Sequence, residues 1–158
     1  VVASPLSRAM ETASIIADVN GLASPLPVAG LVERNYGEAE GLTGPELEAL
    51  YPGDTLVPGR EARHEVQSRV VEAIHTLAKE NPGRNIVVVA HGGVIRSLLH
   101  FTTGTAFFGE RITNGSVHSF HHSDDGLSLV QFNDPLEAVT TSVTLPDFED
   151  QQPLEKRD

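Results

Sequence analysis

The sequence predicts an α/β domain built on a mixed, largely parallel sheet. Three observations predict it. Ile86–Ala90 is an unbroken apolar, mostly β-branched run that leads into His91-Gly92-Gly93 and then a helix-like segment. Such a run between turn signals reads as a strand buried on both faces, the habit of parallel sheets. Val1–Ala3 followed by Ser4-Pro5 and a helix-spaced apolar series repeats the same strand-to-helix order at the start of the chain. Ser116–His121 and Leu127–Phe132 alternate with period two around Ser123–Gly126, which reads as a hairpin.

Taken in order, Val1–Ala3 is a short strand, Ser4 a helix N-cap and Pro5 a first helical residue. Leu6, Ala9, Met10, Ala13, Ile16 and Ala17 then repeat at helical spacing up to Asn20-Gly21. Pro25 and Pro27 mark an extended connection, and Pro27–Leu31 is a candidate edge strand. Leu31–Gly41 reads as a glycine-punctuated loop and Gly44–Leu50 as a short helix. A longer helix runs from Glu61 to Glu80 on the stripe Val66, Val70, Ile74 and Leu77, and Asn81-Pro82-Gly83 stops it. The buried strand 86–90 and a helix over Val94–Thr102 follow, then the hairpin. Residues 1–135 are expected to form one domain, with 42–60 as a cap, and 136–158 an acidic, solvated, flexible tail.

Bulk composition narrows the partners. The chain has 158 residues, enough for one domain with a real core. Aromatics make up only 5%, so the core falls to Val, Leu, Ile and Ala. The net charge of −11 repels nucleic acid and acidic membrane surfaces, so neither is an expected partner. It repels phosphorylated metabolites too, so any anion site must be locally basic. With no cysteine, disulfides and thiolate chemistry are excluded, which fits a cytoplasmic protein. No apolar run reaches membrane-spanning length. Oligomeric state is not legible, and a homo-oligomer stays open.

The two strand-to-helix junctions carry the chemistry. If their strands are parallel neighbours, both helix N-termini open onto one crevice, where Arg8 and His91 converge with free backbone N–H groups. That is an anion site, with phosphate the obvious anion. Gly92-Gly93 lets backbone approach the ligand. The loop LVERNYGEAEG, residues 31–41, places glutamates, an arginine and a tyrosine among glycines. Besides an acidic surface loop, it reads as the source of a carboxylic acid that donates a proton beside the phosphate. Arg34 and Tyr36 would be ligand contacts. A carboxyl group beside a bound dianion is held protonated by like charge. His118, His121 and His122 cluster near the hairpin without a completing carboxylate or cysteine pattern, so no metal and no cofactor is expected. His75 and His100 read as structural or exposed.

SPLSRAMETA, LVERNYGEAEG and VVVAHGG, in this order and at these intervals, resemble the histidine phosphatase superfamily, also called the phosphoglycerate mutase-like family. The likeness covers residues 1–132. It implies a three-layer α/β/α sandwich around a mostly parallel mixed sheet and chemistry through a phosphohistidine, without a metal. It implies that Arg8 clamps phosphate, that His91 contacts the transferring phosphoryl group and that Glu33 donates the proton. It also makes Asn114, in the turn Ile112–Ser116, a weaker site-lining candidate. The family's nucleophile is a histidine in an R-H-G segment after the first strand, and this sequence contains no R-H-G. Arg63-His64 is followed by Glu65 and lies on the helix after the loop. The expectation is therefore an upstream segment that supplies the nucleophile and its strand. Without that strand the sheet would have a gap.

On this basis the expected activity is hydrolysis of small phosphomonoesters. Phosphoglycerate mutase-type transfer is the first alternative, because Glu33–Gly37 matches the mutases' E-R-x-Y-G. Hydrolysis is favoured because Leu42–Arg60 is short and Gly93 stands where mutases carry asparagine. If the chain is complete, a non-catalytic module that binds a phosphorylated ligand or a protein is the second alternative.

Overall fold

The computed structural model describes residues 1–104 and 109–134. Strand β1 (Val2–Ala3) lies between β2 (Leu26–Pro27) and β3 (Val88–Val89), and both pairings are parallel. Register sets Val2 opposite Val88 and Ala3 opposite Val89. Val2 N donates to Val87 O at 2.9 Å and Ser4 N to Val89 O at 2.9 Å. The carboxyl ends of β1 and β3 therefore lie side by side, and the helices that follow them start from one edge of the sheet.

Helix α1 (Ser7–Val19) buries Ala9, Ala13 and Ala17, an i, i+4, i+8 stripe that packs on β1 and β3. It begins later than Ser4-Pro5 predicts. Leu6 is extended and serves as N-cap, because the Ser4 side chain is buried and bonded elsewhere. Helix α2 (Gly44–Leu50) starts on a capping box, in which Thr43 N donates to Glu46 Oε2 at 2.7 Å. None of its residues is buried. Helix α3 (Arg63–Glu80) buries Val66 and Val70, with Ile74 and Leu77 packed beside them. Helix α4 (Gly92–Thr103) buries Val94, Leu98 and Leu99. The core joins Val2 and Leu31 to these α3 and α4 residues.

Three expectations need correction. The edge strand is Leu26–Pro27, and Ala29–Leu31 is a 3-10 turn, because Gly30 packs against Ala73 of α3 too closely for any side chain. The run 86–90 yields only two strand residues, both half-buried, with Val87 43% exposed. Among the described residues β3 pairs on one side only, so it is not covered as a central strand would be. Finally, β4 (Ser119–Ser123) and β5 (Gly126–Gln131) form their own antiparallel sheet instead of extending the first. Phe120 and Leu127 pack the hairpin on the core, and His122 Nε2 lies 2.7 Å from His75 Nδ1 of α3. His75 thus joins α3 to the hairpin. The tail, 136–158, lies outside the described residues. Among those described, no helix is long and apolar enough to cross a membrane.

Candidate active site

His91 ends the β3 segment and is the N-cap of α4, with its carbonyl accepting from Ile95 N at 3.0 Å. Parallel pairing of β1 and β3 carries its ring to the other junction. Its Nε2 lies 2.7 Å from the Oγ of Ser4, and both residues are buried. Ser4 Oγ also accepts from Leu6 N at 3.4 Å, which leaves the hydroxyl proton free to point at the ring. Sequence reasoning placed Ser4 as a cap and missed this role. Its position beside Pro5 in a strand-to-helix turn was the available signal.

Glu33 enters the same corner from the loop after the first 3-10 turn. Its Oε1 accepts from Arg34 N at 2.8 Å, and its Oε2 faces Gly93 N at 3.4 Å. The carboxylate thus sits over the N-terminus of α4, where the helix dipole favours negative charge. Close approach falls at Gly93 and not at Gly92. A Cβ on Gly93 would collide with Glu33 Oε1, whereas Gly92 is exposed with open space around it.

Arg8 stands exposed in the first turn of α1. Burial chiefly, and the nearby Arg8 charge next, push the His91 imidazole below its usual pKa of 6.5, while Glu33 opposes them. A lowered histidine pKa means that the folded state resists protonation. His91 therefore contributes stability above its unfolded value, which is lost as pH falls below it. An NMR titration of the His91 ring should show a midpoint below 6.5. Arg8→Ala should move that midpoint up and Glu33→Gln should move it down. Movement of either variant in the other direction would refute this arrangement of charges.

A second layer holds Glu33 in place, and it was not foreseen. Arg69 of α3 pairs with Glu61, Nε to Oε1 at 2.7 Å and Nη2 to Oε2 at 3.0 Å. The same guanidinium donates to the carbonyls of Gly30 at 2.9 Å, Val32 at 2.7 Å and Glu33 at 3.4 Å. Arg69 holds the Glu61 carboxyl below the usual carboxylate range. Its spacing of three residues from the buried Val66 on α3 was the available signal.

Arg34 and Tyr36 flank the site. Arg34 Nε donates to Glu61 O at 2.9 Å, and its guanidinium lies 5.7 Å from the Tyr36 ring centroid. Burial and then the Glu33 charge raise the Tyr36 phenol. Asn114 is exposed in the turn before β4 and makes no hydrogen bond to this cluster among the described residues. Hydrogen bonds thus gather Ser4 with His91 and Glu33 with Gly93, the Arg8 charge acts on the His91 ring, and Gly92 and Asn114 lie exposed.

Comparison with known proteins gives the family. The family model "Histidine phosphatase superfamily (branch 1)" matches residues 1–135. Phosphoglycerate mutase-like protein 4 of Arabidopsis thaliana is 36% identical over 142 residues, covering 83% of this chain and 62% of that protein. The metal-independent phosphoserine phosphatase of the same plant is 29% identical over 145 residues, covering 85% and 60%. The chain thus spans about three-fifths of the length of these two curated relatives. A solved mycobacterial glucosyl-3-phosphoglycerate phosphatase in complex with VO3 superposes with a TM-score of 0.70 at 27% identity, covering 84% of this chain and 75% of that one. With its parallel sheet and helices and this match over most of its length, the chain belongs to the histidine phosphatase superfamily, branch 1.

Proposed function

We propose that this protein takes part in hydrolysis of small phosphomonoesters through a phosphohistidine, without a metal ion. The observation that carries the reading is the meeting of two helix-opening junctions, with His91 Nε2 2.7 Å from Ser4 Oγ and Glu33 Oε2 3.4 Å from Gly93 N. Arg8 and His91 neutralise the non-bridging oxygens as charge builds on them, the kind of preorganised donation that supplies most of the rate in phosphoryl transfer. Glu33, in its protonated form, gives its proton to the leaving alkoxide. As carboxylate it then helps water attack the phosphoenzyme. The attacking histidine in R-H-G is not among these 158 residues. The roles assigned to this chain are therefore binding, charge neutralisation and proton transfer.

The reading takes residues 1–135 as one catalytic domain and 42–60 as its cap. The cap is one short helix without a buried residue, plus a loop in which Leu56 is 91% exposed. So small a cover favours access of water and hence hydrolysis over mutase-type transfer. Relatives named as phosphatases point the same way, and one of them is described as metal-independent.

Calorimetric titration with orthovanadate or inorganic phosphate tests the reading. Saturable binding is expected, and Arg8→Ala should weaken it about tenfold, as loss of a charge-assisted hydrogen bond does. No saturable binding, or an Arg8→Ala variant with unchanged affinity, would overturn it.

A further inference from the structure

The sequence groups His118, His121 and His122, and the fold separates them. The ring of His118 stays local, with Nε2 3.0 Å from Ser116 Oγ and Nδ1 accepting from Asn133 N at 3.2 Å. His121 is exposed and, as the neighbour of His122 on β4, points to the opposite face of the strand. His122 instead meets His75 of α3, 47 positions earlier, with Nε2 and Nδ1 2.7 Å apart. Both residues are half-buried.

The ring centroids of this pair are 4.8 Å apart and the planes cross at 77°. The two nitrogens therefore face each other nearly head on, and the crossed planes keep the ring C–H groups clear of one another. Between two neutral imidazoles such a contact holds one proton, given by one ring and accepted by the other. Two imidazole nitrogens aimed at one point are also the beginning of a metal site. Zinc takes nitrogen at about 2.0–2.1 Å in a tetrahedron, so the two nitrogens would part to roughly 3.3 Å. A slight rotation of either side chain supplies that opening.

The surroundings suit a cation. A cleft of about 400 Å³ on the α3 and α4 face has Gln67, Glu72, His75 and Phe101 in its lining, so His75 is reached from solvent. Glu72 stands one turn before His75 and brings negative charge to the same cleft, in a chain of net charge −11. Among the described residues no three histidine, cysteine or acidic side chains are grouped to hold a metal, so water takes the remaining positions.

We propose that His75 and His122 form a two-histidine site for a divalent cation of the zinc class, with water completing the tetrahedron. Imidazole suits zinc, copper and nickel, whereas magnesium and calcium prefer oxygen. On ligation the bridging proton moves to the outer nitrogen of the ring that held it, so each ring stays neutral and no proton is lost. The cation ties β4 to α3 and takes no part in the proposed phosphoryl chemistry, which uses other residues.

Calorimetric titration of the whole chain with Zn²⁺, in a buffer free of phosphate, tests the site. A single cation should bind and raise the thermal midpoint, because the two ligands converge only in the folded state. Mg²⁺ should do neither. His75→Gln and His122→Gln should each weaken Zn²⁺ binding about tenfold or more, since losing a ligand costs no less than losing a group that orients one. His121→Gln should leave it unchanged. NMR of the imidazole rings needs no variant, and so decides the matter even if a substitution unfolds the chain: Zn²⁺ should shift His75 and His122 together. No saturable binding by wild type, unchanged affinity in a folded His75→Gln or His122→Gln variant, or shifts confined to other histidines would overturn the proposal.

Discussion

Gly37→Ala is expected to lower the unfolding free energy by about 3 kcal/mol, against about 1 kcal/mol for Gly41→Ala. Both glycines have positive φ, +60° and +75°. An alanine at either position suffers the steric cost of the left-handed region. Only Gly37 adds a collision, because its missing Cβ leaves room for Pro58 O, Arg60 N and the carbonyl carbon of Gly59. Those are backbone atoms tied into hydrogen bonds, so they cannot swing aside as a side-chain tip would. Around Gly41 there is open space. Urea denaturation of the two variants, with wild type as reference, isolates the collision. Equal destabilisation would show that the loops at 37 and 58–60 are not packed as described.

Arg69→Ala is expected to cost about 2–3 kcal/mol. The side chains of Arg69 and Glu61 are 26% and 19% exposed, so solvent screens part of their attraction. The figure is accordingly set below that for a fully buried pair. Most of the loss comes from what stays behind: a Glu61 carboxylate and the carbonyls of Gly30 and Val32 without their donor. Arg69→Lys should recover less than half, since an ammonium cannot present the fork that serves an acid and two carbonyls together. The cost should depend on pH. Glu61 titrates below its unfolded value of 4.5, so the pair contributes fully above that value and its contribution disappears as pH falls below it. The gap between wild type and Arg69→Ala should therefore narrow in acid to the share that comes from the carbonyls of Gly30 and Val32. A gap of less than about 0.5 kcal/mol at neutral pH, the range of ordinary surface changes, would sink the idea.

Patterned elements were legible in the sequence. α3 and its stripe follow from period 3.6 and the Asn81-Pro82-Gly83 stop, and the hairpin follows from period two around a polar turn. His91 at the mouth of α4 followed from the glycines after an apolar run. What escaped depended on partners distant in sequence. Ser4 looked like a cap because a serine before proline usually is one; the ring of His91, 87 positions later, claims its hydroxyl instead. Arg69 was not singled out in the sequence at all, and only the fold shows it collecting carbonyls from residues 36–39 positions earlier. The burial expected for Ile86–Ala90 was too great, because composition reports how apolar a strand is and not how many neighbours it has. Gly92 and Gly93 are indistinguishable as letters, and the close approach of Glu33 separates them.

The alanine stripe of α1 has a consequence for reach. Ala9, Ala13 and Ala17 are the residues that this helix buries against β1 and β3, while Ile15 and Val19 face outward. Methyl groups act as thin spacers, so the helix axis rides low over the sheet. The span between the guanidinium of Arg8 and the imidazole of His91 is thereby gauged by three small side chains, two of them more than one helical turn beyond Arg8. Bulk added at Ala13 would jack the helix upward and widen the jaws without altering a residue inside them.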